Sequence, residues 1–76
     1  MTKYPRKGFG WALDQLTRGG KVYRAGWNGK GLWLELQAAA TITSPFLALR
    51  SVTGTLVPWT PSQTDQLAED WVLYQP

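Results

Sequence analysis

Seventy-six residues leave room for one domain, and a chain this short buries only a thin core of its own. It contains neither cysteine nor histidine, which excludes disulfide staples and the usual zinc ligands, so no metal site and no cofactor are expected. The net charge is +3, with Lys3, Arg6, Lys7, Arg18, Lys21 and Arg24 crowded early and Asp65, Glu69 and Asp70 late. That asymmetry suits an anionic ligand on the basic side, or one subunit's basic region meeting another's acidic one; a solvated face is the plainer reading. Small domains without staples gain stability by oligomerising, so a homo-oligomer is expected, with some indoles buried between subunits. No apolar run is long enough for a signal peptide or a membrane span, which places the expected site of action in the cytoplasm, with no membrane partner.

In chain order, residues 1–7 read as a flexible basic lead-in to one domain over 1–76. From Phe9 to Arg18, the apolar positions Phe9, Ala12, Leu13 and Leu16 follow helical spacing, leaving Asp14, Gln15 and Arg18 for water. Trp11 falls off that stripe, which leaves two readings, packing on a neighbouring subunit or lying along the chain's own surface, with the first slightly favoured. Gly19-Gly20 supplies the stop, since glycine takes the left-handed conformation at little cost. Lys21 to Trp27 reads as a strand, and Asn28-Gly29 is the strongest hairpin-turn signal in the chain. Leu32 to Gln37 alternates, with Leu32, Leu34 and Leu36 on one face and Trp33, Glu35 and Gln37 on the other. Ala38 to Pro45 has no period and reads as a connection. Phe46 to Ser51 and Thr55 to Val57 form a second expected hairpin, turning near Thr53-Gly54.

Pro58 and Pro61 then fix the chain direction, each locking φ and removing a backbone donor. Ser62, with Asp65 three residues later, reads as a helix N-cap with an acidic partner, opening a short helix through Leu67 and Ala68. Trp71 to Tyr74 reads as the last strand. The expected fold is α+β: about five antiparallel strands, one N-terminal helix and a short second helix.

Catalysis is poorly provisioned. No serine sits beside a plausible base, and acidic residues near a helix start complement its dipole without any reaction, so no catalytic residue is assigned. Binding is better provisioned. Gly26-Trp27-Asn28-Gly29-Lys30-Gly31 sets an indole, an amide and an ammonium among glycines, and glycines let a ligand approach the backbone. An indole offers a stacking face, and Lys or Arg meets phosphate. With Ser62, Gln63 and Thr64 at a helix start, these residues sketch a nucleotide-sized pocket.

Gly26 to Gly31, followed by Val57-Pro58-Trp59, Ser62-Gln63-Thr64-Asp65 and Leu67-Ala68-Glu69-Asp70-Trp71, resembles a small phage family that includes the second type of Thoeris anti-defence protein. The resemblance runs from Phe9 through Trp71. It implies a non-catalytic sponge that sequesters a cyclic ADP-ribose isomer, the alarm signal of bacterial Thoeris immunity, before the effector senses it. It further implies a homotetramer with nucleotide pockets between subunits, and members that capture other cyclic nucleotides. Carried onto this chain, the pocket candidates are Trp27, Asn28, Trp59, Ser62, Gln63, Thr64 and Asp65. Phe9 joins them as a stacking face for adenine, and Arg24 and Lys30 as contacts to pyrophosphate. Asn28 and Thr64 would bond ribose hydroxyls, and Asp65 would accept from ribose or the adenine amine. Two other readings compete. One is a basic module for single-stranded nucleic acid, stacking bases on Trp27, Trp33 and Tyr23; the acidic last third opposes a polyanion. The other is a structural phage protein whose aromatics are all core and interface.

Overall fold

The computed structural model describes residues 7–27, 31–38 and 44–75. Helix α1 (Phe9–Thr17) leads into β1 (Val22–Arg24), β2 (Leu32–Gln37), β3 (Phe46–Ser51) and β4 (Leu56–Pro58). Helix α2 (Gln63–Leu67) and β5 (Trp71–Leu73) follow. The strands form one antiparallel sheet in the order β4-β3-β2-β1-β5. The fold is α+β with an N-terminal helix and a short second helix, as the sequence predicts. Asn28-Gly29, and most of the link from 38 to 45, lie outside the described residues.

α1 ends where the glycines stop it. Gly19 takes φ +91°, Gly20 N–H donates to the Gln15 carbonyl at 2.8 Å, and Gly19 N–H donates to that of Leu16 at 3.1 Å. This paired closure satisfies carbonyls that the helix end would leave bare. Ala12 and Leu16 are fully buried, whereas Leu13, expected on the same stripe, is 38% exposed. Among the described elements the helix covers β1, β2 and β5 and meets α2, so its stripe spans three of the five strands. Trp11 packs against its own chain's core, with Lys7 Nζ 5.2 Å from its ring centroid.

The core is Ala12, Leu16, Val22, Leu34 and Trp71, with Phe9, Trp11, Trp27, Leu47, Leu49 and Trp59 packed around it. β2 does not divide into one buried and one wet face. Leu34 is buried under α1, but Trp33 on the opposite face is only 7% exposed, while Leu36 stands 37% exposed. Trp33 stacks on Tyr74 with centroids 4.3 Å apart, and Lys21 Nζ lies 5.5 Å from its ring. Its indole N–H donates to Glu35.

The expected strand from Lys21 to Trp27 is cut short at Arg24. Ala25 N–H reaches the Asp70 carbonyl, Gly26 N–H turns to the Asp70 carboxylate, and Trp27 N–H closes back on the Arg24 carbonyl. A carboxylate has captured a backbone donor that a longer strand would have used. The β3–β4 hairpin turns at Thr53-Gly54 as expected, with Gly54 at φ +96°. β4 and β5 occupy opposite edges, so the chain from 59 to 70 must cross the sheet. That crossing carries Trp59, α2 and Asp70 toward the end of β1, and it positions the candidate site.

Candidate functional site

Four aromatic rings meet where the crossing passes the core. Trp71, 1% exposed, lies at the centre. Its ring centroid is 5.6 Å from those of Phe9 and Trp27 and 6.2 Å from that of Trp59. Phe9 and Trp27 each lie 6.3 Å from Trp59. Tilted and edge-on packings at such distances suit the ring quadrupoles. Trp71 Nε1 donates to the Asp65 carbonyl at 3.3 Å, giving the buried indole its partner.

Beside the rings, Arg24 joins β1 to α2 and β5. Its Nη1 donates to Asp65 Oδ1 at 2.9 Å and its Nε to Asp70 Oδ1 at 2.8 Å. The Arg24 and Asp65 side chains are 16% and 14% exposed, that of Asp70 35%. Hydrogen bonds to Asp70 and then Asp65 raise the Arg24 guanidinium above its ordinary value. Burial pushes the Asp65 carboxyl up, but bonds from Arg24, Ser62 and Trp27 outweigh it and hold the group below the usual carboxylate range. Asp70 is also held low, first by Arg24, against some burial, and then by the Gly26 N–H. All three groups are therefore charged at neutral pH.

Asp65 closes the expected capping box. Ser62 Oγ accepts from Asp65 N–H, and Asp65 Oδ2 accepts from Ser62 N–H and the Ser62 hydroxyl. Trp27 Nε1 donates to Asp65 Oδ1 at 3.5 Å, the longest contact of the set. Both carboxylate oxygens are thus already engaged. Asp70 does for the loop what Asp65 does for the helix: it grips Arg24 and pins Gly26 N–H at 2.9 Å. A Cβ on Gly26 would stand 3.0 Å from Asp70 Oδ2, so any side chain there would press the carboxylate back from the Gly26 N–H.

An open cavity of about 570 Å³ lies alongside, lined by Arg24 and Trp27 together with Tyr23, Tyr74, Leu73 and Gln75 among others. Its size falls within the range of small-molecule sites. Of the residues singled out from sequence, Phe9, Arg24, Trp27, Trp59 and Asp65 converge, and Ser62 joins them through its cap. Gln63 and Thr64 are exposed on α2 and do not line the cavity. Asn28 and Lys30 lie outside the described residues, between Trp27 and the cavity-lining Gly31. Tyr74 and Gln75 were not foreseen as site residues; only their place at the end of an aromatic strand hinted at them. Among the described residues no group of carboxylates could hold a metal ion, and no helix is long and apolar enough to cross a membrane.

A crossover that draws aromatic rings and an arginine–carboxylate network to one end of an antiparallel sheet, beside an open cavity, defines a small α+β module built around one prepared corner. Sequence comparison says which. Residues 8–74 match the Thoeris anti-defense 2-like domain, and the chain belongs to that family. It is also similar to the Thoeris anti-defense 2 protein of Bacillus phage SP01, with 37% identity over 79 aligned positions covering 83% of this chain and 89% of the relative.

Proposed function

We propose that this protein binds a cyclic ADP-ribose-type signal, or a related cyclic nucleotide, and sequesters it intact, so that Thoeris-like immunity is not triggered. The observation that carries this reading is the cavity beside Arg24 and Trp27, a fixed cation and a partly buried indole at the end of β1. An indole stacks on a base, and a guanidinium meets phosphate. Arg24 uses Nε and Nη1 on the carboxylates, which leaves Nη2 for an incoming oxygen. Lys30 and Asn28 follow Trp27 in sequence and supply a further cation and an amide for pyrophosphate and ribose. Asp65, its oxygens already engaged, serves by holding Arg24 and Trp27 in place rather than by touching ribose. Trp59, Phe9, Ser62, Gln63 and Thr64 complete the assignment, with Thr64 and Gln63 facing outward, where a second subunit would bring them to ligand. A homotetramer with pockets between subunits fits a cavity that one chain leaves open.

The mechanism is thermodynamic and needs no catalyst, consistent with a sequence lacking histidine and cysteine. Holding a signal at submicromolar levels requires about −8 to −10 kcal/mol of binding free energy. Stacking and charge-assisted bonds in a preformed corner supply that scale. The protein also has to act where the signal is made, in the bacterial cytoplasm. The buried Trp33, sandwiched between Tyr74 and Lys21, offers no platform for single-stranded nucleic acid.

The test is to incubate the protein with cyclic ADP-ribose isomers and cyclic dinucleotides, record melting temperatures, then heat-denature and assay the released ligand. One ligand should raise the melting temperature and return unchanged. Return of a cleaved product would replace sequestration by catalysis, and no shift with any ligand would favour a purely structural protein.

A further inference from the structure

The aromatic rings pack in two different ways. Around Trp71 they meet tilted or edge-on. The Trp27 ring, although it lines the cavity, already stands 5.6 Å from that of Trp71 and 6.3 Å from that of Trp59. Among the described residues only one pair is stacked flat: Trp33 and Tyr74, with centroids 4.3 Å apart and planes 21° apart. Trp33 is 7% exposed and has no face left for a guest. Tyr74 is half-buried and lines the cavity. With one face against Trp33, the ring surface it gives to the cavity wall is its other face and its free rim.

Tyr74 is also held still. Its N–H donates to the Lys21 carbonyl at 2.7 Å, and the Tyr23 ring, another part of the cavity wall, meets it nearly at right angles with centroids 6.2 Å apart. The Trp33 behind it is fixed in turn, by the bond from its Nε1 to Glu35 and by the Lys21 ammonium 5.5 Å from its centroid. A platform that needs no ordering gives up little entropy when a guest lands on it. The geometry points to Tyr74 as a recognition residue: a planar heteroaromatic ring, the base of a nucleotide, lies on the face that Trp33 leaves open. Arg24 lines the same cavity, so one wall offers a flat apolar surface and a cation. That combination fits a nucleotide and leaves a phosphosugar without a base only half held. The inference rests on the proposed function for the class of guest. It adds to the Trp27 indole a second flat surface, set in place before the guest arrives.

The test is to titrate the full chain with cyclic ADP-ribose, AMP and ribose 5-phosphate while recording aromatic carbon–proton NMR spectra. The Tyr74 ring signals, assigned from Tyr74→Phe, should move upfield with the two nucleotides, under the ring current of a stacked base, and stay in place with ribose 5-phosphate. Tyr74→Phe keeps the face and should bind AMP within about twofold of wild type; Tyr74→Leu removes it and should bind about tenfold more weakly. A nucleotide that moves other signals but not those of Tyr74 overturns the inference and leaves nucleotide binding standing. So does a folded Tyr74→Leu variant that binds as wild type does. An equal shift with ribose 5-phosphate also overturns it, because the ring would then not be meeting a base. No response to either nucleotide overturns the inference and the proposed function together. The wild-type spectra decide the matter even if Tyr74→Leu does not fold.

Discussion

The two faces of this sheet use the same chemical vocabulary with different reach. Under α1 and the crossing chain, Arg24 binds carboxylates 41 and 46 residues away, and Trp27 reaches one 38 residues away. On the helix-free face, Glu35 accepts from Trp33 and Gln37, each two residues away, and pairs with Arg50 on the adjacent strand, whose Nε lies 3.2 Å from Glu35 Oε2. Burial pushes the Glu35 carboxyl up, but Trp33, Arg50 and Gln37 together hold it below its usual value. Both clusters therefore stay charged at neutral pH. The first also ties α2, which no ladder reaches, to β1 and β5, so losing one member there loosens the crossing as well as the strand end. The second decorates strands whose ladder already holds them.

Removing the centre of the first region should have the largest effect. Trp71→Ala empties the space that Phe9, Trp27 and Trp59 share, at about 3–5 kcal/mol, much of the stability of a chain this size. Thermal melting by circular dichroism should find the variant largely unfolded; a loss under about 1 kcal/mol would mean that the ring cluster is not the core. Arg24→Met leaves Asp65 and Asp70 facing each other without a cation. The expected loss is about 2–3 kcal/mol, or roughly 10–20 °C in melting temperature. Arg50→Met should cost under about 1 kcal/mol, because its Glu35 partner is served by other donors and water reaches the site. Equal losses for the two arginine variants would erase the distinction between the faces.

How much of this was legible in the sequence depends on how local the cause is. β2 and β3 fall at Leu32–Gln37 and Phe46–Ser51, where period-2 patterning placed them, and the Ser62–Asp65 cap and the Gly19 stop are three-residue effects that spacing reveals. Period 2 says which residues share a face but not whether that face is covered, so the burial of Trp33 was hidden. The strand through Trp27 was over-extended because its terminator, Asp70, lies 44 residues beyond Gly26. The acidic residues 65 and 70 looked like complements to a helix dipole, and nothing nearby names Arg24 as their partner. The candidate site was legible through its aromatic residues and its family pattern, while its electrostatic frame depends on the crossing that only topology sets.

Acid should separate the regions by degree. Asp65 and Asp70 titrate below their ordinary range in the folded chain, so the unfolded chain takes up their protons first, near pH 4. Their contribution is complete above that pH and is lost as pH falls through the lower folded values. Asp70→Asn should flatten the fall in stability below pH 4, as read from urea melts at successive pH values. The same variant should weaken the ligand-induced rise in melting temperature, because Gly26 and Arg24 lose their carboxylate anchor. An unchanged acid limb in Asp70→Asn would show that the anchor contributes little.

The smallest effect belongs to Glu35→Gln. The amide keeps an oxygen for Trp33 Nε1, 3.0 Å from Glu35 Oε1, and gives up the charge facing Arg50, while Gln37, which donates to Glu35 Oε2, has to turn its own amide oxygen toward the new NH2. Arg50's side chain is 34% exposed as a whole, and its enclosed Nε makes no hydrogen bond to Glu35 that the change could remove. A loss under about 1 kcal/mol follows, a few degrees in melting temperature at most. The ligand-induced shift should match wild type, since neither Glu35 nor Arg50 lines the cavity beside Trp27. If Glu35→Gln blunted that shift as much as Asp70→Asn does, the two faces would be coupled through the Trp33–Tyr74 stack, whose Tyr74 lines the cavity wall, and the division drawn between them would have to be redrawn there.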